Sequence, residues 1–205
     1  LISIQLNNLT KTYNEQVIFS GVQEAVTQGS CLVVSGPNGS GKTTLLKIIA
    51  GLVRPSSGEM HLTIENKVIP REEQKDYLGY VSPDLMLYEE LSALENLEFF
   101  ARIRGLTEGV KKAEEMLEKV QLNKWKAKMV STYSTGMKQR LKFAFALLHR
   151  PLLLLLDEPG SNLDESGHAL VQEIIEEQKQ RGCVILSTND PTEVSRYGDQ
   201  ILQLG

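Results

Sequence analysis

No apolar run in the sequence approaches the roughly 20 residues that a membrane-spanning helix needs. The run Leu152–Leu156 is five leucines and ends at a carboxylate. A basic excess is also missing: 22 Lys and Arg against 26 Asp and Glu leave a net charge of −4, which argues against nucleic acid as a partner. Cysteine is scarce. Cys31 and Cys183 each open an apolar run, and no Cys-x-x-Cys occurs. Core packing in a reduced compartment is therefore expected, rather than a disulfide framework or a zinc site. His61, His149 and His168 share no metal-ligand spacing. The opening LISIQLNNLTK has no secretory character and alternates apolar and polar residues like a strand. Repeats and low-complexity tracts are absent, and 205 residues suit one domain.

What is present is an alternation of strands and helices. Strands are expected at Ile2–Leu6, Val17–Phe19, Cys31–Ser35, Leu152–Asp157, Val184–Thr188 and Gln200–Leu204, with one or two more within Glu59–Ile69. Lys42–Leu52 carries helical apolar spacing, and so does Glu165–Arg181. Between Pro83 and His149 three helices are expected: Leu91–Arg104, with Ser92 and Glu95 as a capping box; Thr107–Val120, capped by Thr107; and Gly136–His149. Strands separated by helices predict an α/β fold with a mainly parallel sheet.

The stretch Gly36-Pro37-Asn38-Gly39-Ser40-Gly41-Lys42-Thr43-Thr44 fits the phosphate-binding pattern G-x-x-x-x-G-K-[ST] at every position, after a strand and before a helix. Glycines let the backbone wrap its N–H groups around phosphates, and the helix N-terminus adds positive potential there. Lys42 is expected at the β- and γ-phosphates, and the Thr43 hydroxyl on Mg²⁺. Asp157 and Glu158 close the leucine strand. Asp157 is placed to hold Mg²⁺ through water, and Glu158 to orient or deprotonate an attacking water. Ser134 and Gly136, in Tyr133-Ser134-Thr135-Gly136-Met137-Lys138-Gln139-Arg140, open a helix; they read either as an ordinary cap or as a second anion site. Tyr13 is either packing or a purine stacker.

In order, these segments resemble the ATP-binding cassette (ABC) ATPase family. GPNGSGKTT is similar to its Walker A stretch, LLLLLDEP to its Walker B, YSTGMKQR to its signature and Ser161–Asp164 (SNLD) to its D-loop. The resemblance implies a P-loop NTPase with a RecA-like core, a small antiparallel β lobe and an inserted helical subdomain. Its core and β lobe would be 1–82 and 150–205, and its helical subdomain 83–149. It implies ATP and Mg²⁺ as cofactors and a head-to-tail pair with a second cassette, expected to be a second copy of this chain. Ser134 and Gly136 of one would then cover ATP bound at Gly36–Thr44 of the other. Tyr13 falls in the family's aromatic loop and becomes the expected adenine stacker. An integral membrane permease would read the motion near Pro83–Tyr88, with the chain cytoplasmic and peripheral on the inner face of the cell membrane.

Two positions depart from the family. Pro83 stands in GYVSPDLMLYEEL where the family has Gln, and Asn189 stands after VILST where it has His. Asparagine can donate to a γ-phosphate but cannot carry a proton. Slow hydrolysis with Glu158 as base is expected, with Lys42 and Asn189 assisting. Among bacterial exporters the chain most resembles the small heme-exporter, or cytochrome c maturation, ATPase subunit; a polysaccharide, lipid or drug exporter is the runner-up. The alternative is a nucleotide-binding cassette with little or no hydrolysis, acting as a regulatory module.

Overall fold

The computed structural model describes residues 1–205. It contains two sheets. The first is antiparallel, in the order β2-β1-β4-β5, built from β1 (Ile2–Tyr13), β2 (Gln16–Thr27), β4 (Ser57–Ile64) and β5 (Lys67–Val68). The second is parallel, in the order β6-β7-β8-β3-β9, built from β6 (Leu78–Val81), β7 (Leu153–Asp157), β8 (Cys183–Thr188), β3 (Cys31–Ser35) and β9 (Gln200–Gln203). The helices are α1 (Lys42–Ile49), α2 (Ala93–Ile103), α3 (Gly109–Lys119), α4 (Thr135–Leu147), α5 (Glu165–Arg181) and α6 (Pro191–Tyr197). α2, α3 and α4 all lie in the chain between β6 and β7.

Continuous apolar strands are what a parallel sheet covered on both faces requires. In β3, Cys31 and Val33 join one apolar cluster while Leu32 and Val34 join another. The leucine run divides the same way: Leu154 and Leu156 face the first cluster, Leu153 and Leu155 the second. The first cluster is completed by the inserted helices and α5, through Leu97, Leu117, Phe143, Val171 and Ile174. The second is completed by α1 and the antiparallel sheet, through Leu45, Leu46, Ile4 and Leu6.

Several elements differ from the sequence reading. β1 and β2 each run 12 residues, joined by a tight turn in which Asn14 and Glu15 both have positive φ. Register shifts along this pair break the alternation that marks a strand. β6 and α6 were not anticipated. The first is four residues long and contains a glycine; the second is seven residues long and starts at Pro191. The expected cap Thr107 lies outside α3, whose N-cap is Glu108 in the left-handed conformation with no side-chain cap bond. The Ser92–Glu95 capping box is present, with Ser92 N donating to Glu95 Oε2 at 2.8 Å and Glu95 N to Ser92 Oγ at 3.2 Å.

Gly79 decides how closely the inserted helices approach the sheet. A Cβ there would lie 2.4 Å from the Ala146 carbonyl oxygen and 2.8 Å from Pro151 Cγ. Gly79→Ala must push α4 away from β6, and urea denaturation is expected to show a loss of about 1–3 kcal/mol, the usual cost of overpacking. Unchanged stability would mean that α4 can slide without strain.

Candidate functional site

The C-terminal ends of β3, β7 and β8 meet at one edge of the parallel sheet, where α/β proteins bind their ligands. β3 runs into the glycine loop 36–41, which opens α1. Gly36 has φ 155°, and a Cβ on it would fall 2.1 Å from the Leu204 carbonyl oxygen and 2.7 Å from Ser40 Oγ. Gly41 has φ 97°, and its Cβ would fall 2.6 Å from Ile18 Cγ2. No side chain caps the start of α1 and no acidic residue lies in its first turn. Its N–H groups are thus free for an anion. Ser40 Oγ is buried without a partner. An orphaned hydroxyl beside uncapped helix N–H groups, in a cradle that a Cβ would fill, fits a phosphate.

Lys42 is 6% exposed, and its Nζ donates to the carbonyls of Gly36 at 2.8 Å and Pro37 at 3.1 Å. Its ammonium is 3.9 Å from Glu158 Oε1. Thr43 Oγ1 donates to Asp157 Oδ1 at 3.1 Å. Asp157 is 1% exposed and takes two further hydroxyls, from Ser187 on β8 and from Tyr80 on β6 at 3.2 Å. A carboxylate fixed by three hydroxyls beside the Thr43 oxygen is a hard-oxygen set suited to Mg²⁺. Thr44 follows within the first turn of α1.

Glu158 follows the last residue of β7 at φ 49°, a conformation uncommon for a residue with a side chain. Its N–H donates to the Ser187 carbonyl at 3.0 Å. Burial raises its carboxyl above the ordinary carboxylate range, with Lys42 and the Asn189 main chain pulling partly against it. A general base benefits from that direction, because basicity rises with pKa. Asn189 Nδ2 donates to Asn38 Oδ1 at 3.0 Å. The amide expected at a γ-phosphate is thus committed to the glycine loop itself.

Tyr13 ends β1, 46% exposed, in the hairpin whose Ile18 and Phe19 pack on Gly41. Ser134 caps α4, with its Oγ accepting from Met137 N at 3.2 Å. Together with Gly136, Trp125, Arg140 and Asn162 it lines a cavity of about 370 Å³ that includes no residue of the glycine loop. A single chain therefore does not bring Ser134 and Gly136 to the phosphate cradle.

The loop after β6 presents Pro83 and is held from two sides. Lys142 on α4 donates to the carbonyls of Ser82 at 3.1 Å and Pro83 at 2.7 Å, and Lys47 on α1 pairs with Asp84 at 2.6 Å. Beside it is a cavity of about 370 Å³ with an apolar floor of Leu52, Leu78, Tyr80, Leu85 and Phe145. Met86 is 82% exposed, whereas Tyr88 packs edge-on against Phe99. Sequence reasoning missed Ser187, Tyr80, Lys142 and the Lys47–Asp84 pair. For Ser187 alone a signal existed: it lies at the C-terminal end of an apolar parallel strand.

Residues 19–161 match the family described as ABC transporter. An uncharacterized ABC transporter ATP-binding protein, YxlF of Bacillus subtilis, is 37% identical over 201 residues, which are 97% of this chain and 66% of YxlF. The lantibiotic transport ATP-binding protein SrtF of Streptococcus pyogenes is 34% identical over 199 residues, covering 97% of this chain and 85% of SrtF. The chain therefore spans just under two thirds of the first relative and most of the second. Among solved structures, the dimeric post-hydrolysis state of the ATP-binding cassette MJ0796, bound to ADP and Pi, superposes with a TM-score of 0.86 at 28% identity. That match covers 98% of this chain and 94% of the other.

Proposed function

The chain belongs to the ABC transporter family, and on that footing we propose that it is the ATP-binding and ATP-hydrolysing part of a bacterial transporter working as an exporter. The observation that carries this reading is the buried Asp157. It is fixed by Thr43, Ser187 and Tyr80, and it is adjacent to Glu158, which lies 3.9 Å from Lys42 at the mouth of the glycine loop. Residues Gly36–Thr44 hold the triphosphate and Lys42 neutralises it. Thr43 and Asp157 hold Mg²⁺, which screens the charge on the phosphates. Glu158 takes the proton of the attacking water. Tyr13 supplies a face for the base.

The separation of Ser134 and Gly136 from the cradle supports a head-to-tail pair, in which a second copy covers the nucleotide. The dimeric cassette MJ0796 is consistent with that arrangement. No helix is long and apolar enough to cross a membrane. The reading therefore includes a separate integral permease, docked near Pro83–Tyr88, with this chain cytoplasmic and peripheral on the inner face of the membrane. Residues 83–149 serve as the helical subdomain in this scheme.

SrtF is named for lantibiotic transport, which favours an amphipathic antibiotic peptide or a similar compound as cargo. The likeness to a heme-exporter subunit finds no support among these relatives, and heme export and cytochrome c maturation are not part of the proposal. Capture from gently solubilised membranes tests the transporter reading: a polytopic partner supports it, and soluble partners alone overturn it.

Pro83 and the committed Asn189 amide favour a second reading, in which the cassette binds nucleotide and hydrolyses little. Phosphate release from MgATP separates the two. On the first reading turnover is slow because neither residue supplies a charged or proton-carrying group. Asn189→His is expected to match or raise turnover, by up to about a hundredfold for one restored transition-state contact. A tenfold fall would show that the pocket is built around the Asn38–Asn189 pair.

A further inference from the structure

β1 carries a cation that the site description has not used. Lys11 pairs across the hairpin with Phe19, and the Phe19 ring lies 3.0 Å from the position of a Cβ on Gly41. Lys11 is thus one strand away from the phosphate cradle. Its Nζ sits 4.4 Å from the centroid of the Tyr13 ring and donates at 2.9 Å to the Arg54 carbonyl. No carboxylate pairs with it. A lysine head is ordinarily mobile and hydrated; here it is fixed between a main-chain oxygen and an aromatic face. The ring stays 46% exposed, so the ammonium backs one side while the remainder is open.

We propose that Lys11 is a positioning residue for the nucleotide base: held by the Arg54 carbonyl, it backs the Tyr13 ring so that the opposite face is presented to a purine. This rests on the reading of Tyr13 as the base platform. The ammonium is attracted by the ring's negative face, and fixing the ring before binding removes part of the ordering cost of stacking.

The test is calorimetric titration of the full chain with MgATP and, separately, with magnesium tripolyphosphate, which has the phosphates and no base. Lys11→Met keeps the stem and removes the charge. It is expected to weaken MgATP binding about two- to fivefold, the range of a half-exposed cation–π contact. Tripolyphosphate binding should stay unchanged, which also shows that the cradle is intact. Lys11→Arg is expected to restore MgATP affinity, and Lys11→Met in a Tyr13→Ala background to have no further effect. Equal weakening for both ligands would mean that the ammonium acts on the phosphates, and tighter MgATP binding that it occupies the base's own face; either overturns the proposal, as does an unchanged MgATP affinity. If Tyr13→Ala alone leaves MgATP affinity unaltered, the platform reading fails first and the proposal falls with it.

Discussion

Glu158→Gln is expected to lower steady phosphate release by about 10²–10⁴-fold, the range for loss of a general base, while MgATP still binds. The replacement keeps the shape and the Ser187 main-chain contact and removes only the ability to take a proton. ATP that cannot be cleaved should hold two chains together, so size-exclusion chromatography with MgATP is expected to show a dimer that the parent chain forms only transiently. The pH dependence follows from the same carboxyl. Its pKa is raised by burial, and the base must be ionised to act. Activity of the parent chain should therefore fall on the acid side at a pH above the ordinary carboxylate range, and recover as pH rises through that raised value. Whatever turnover remains in Glu158→Gln should lack this limb. Release at the parent rate in the variant would remove Glu158 from the role of base.

Lys42→Met should act on binding rather than on chemistry alone. The ammonium is nearly buried and already donates to the carbonyls of Gly36 and Pro37. Charge-assisted hydrogen bonds contribute about 1.5–3 kcal/mol each, so loss of contacts to two phosphates is expected to weaken MgATP binding by about a hundredfold or more. Titration calorimetry reads this directly, with circular dichroism as the check on folding. A loss smaller than tenfold would mean that Lys42 stays bound to the loop carbonyls and braces the backbone, leaving recognition to the N–H groups. The two substitutions thus separate affinity from turnover: Lys42→Met binds MgATP weakly, whereas Glu158→Gln binds it and releases phosphate slowly.

Much of the parallel sheet was legible because its strands carry two-sided apolar runs, as in Cys31–Ser35 and Leu153–Asp157. The glycine loop was legible because its chemistry is local: nine consecutive residues supply the turn, the cation and the hydroxyls. What escaped was mostly non-local or short. β6 is four residues interrupted by Gly79, and α6 hides behind Pro191, which reads as a breaker although it suits the first helical position. The β1–β2 turn uses Asn14 and Glu15, without the glycine that marks such turns. Thr107 had the right chemistry for a cap, but the chain turns instead through Glu108 at φ 56° into Gly109. Two of the three hydroxyls on Asp157, those of Tyr80 and Ser187, come from positions 77 and 30 residues away in sequence, and only the sheet order brings them together.

The leucine strand β7 has a thermodynamic consequence. Leu153 and Leu155 belong to the cluster beneath the antiparallel sheet, and Leu154 and Leu156 to the one beneath the inserted helices. Neighbouring residues of one short strand are therefore shared between both halves of the molecule. Stripping either layer exposes alternate leucines of the same backbone and undermines the ladder on which the other layer rests. Loss of either half is therefore expected to undermine its companion, and coincident urea transitions by far-UV and near-UV circular dichroism would be the sign of one cooperative event. The amides of the strand that ends at Asp157 are expected to be among the slowest in the chain to exchange, because their opening requires both apolar layers to part.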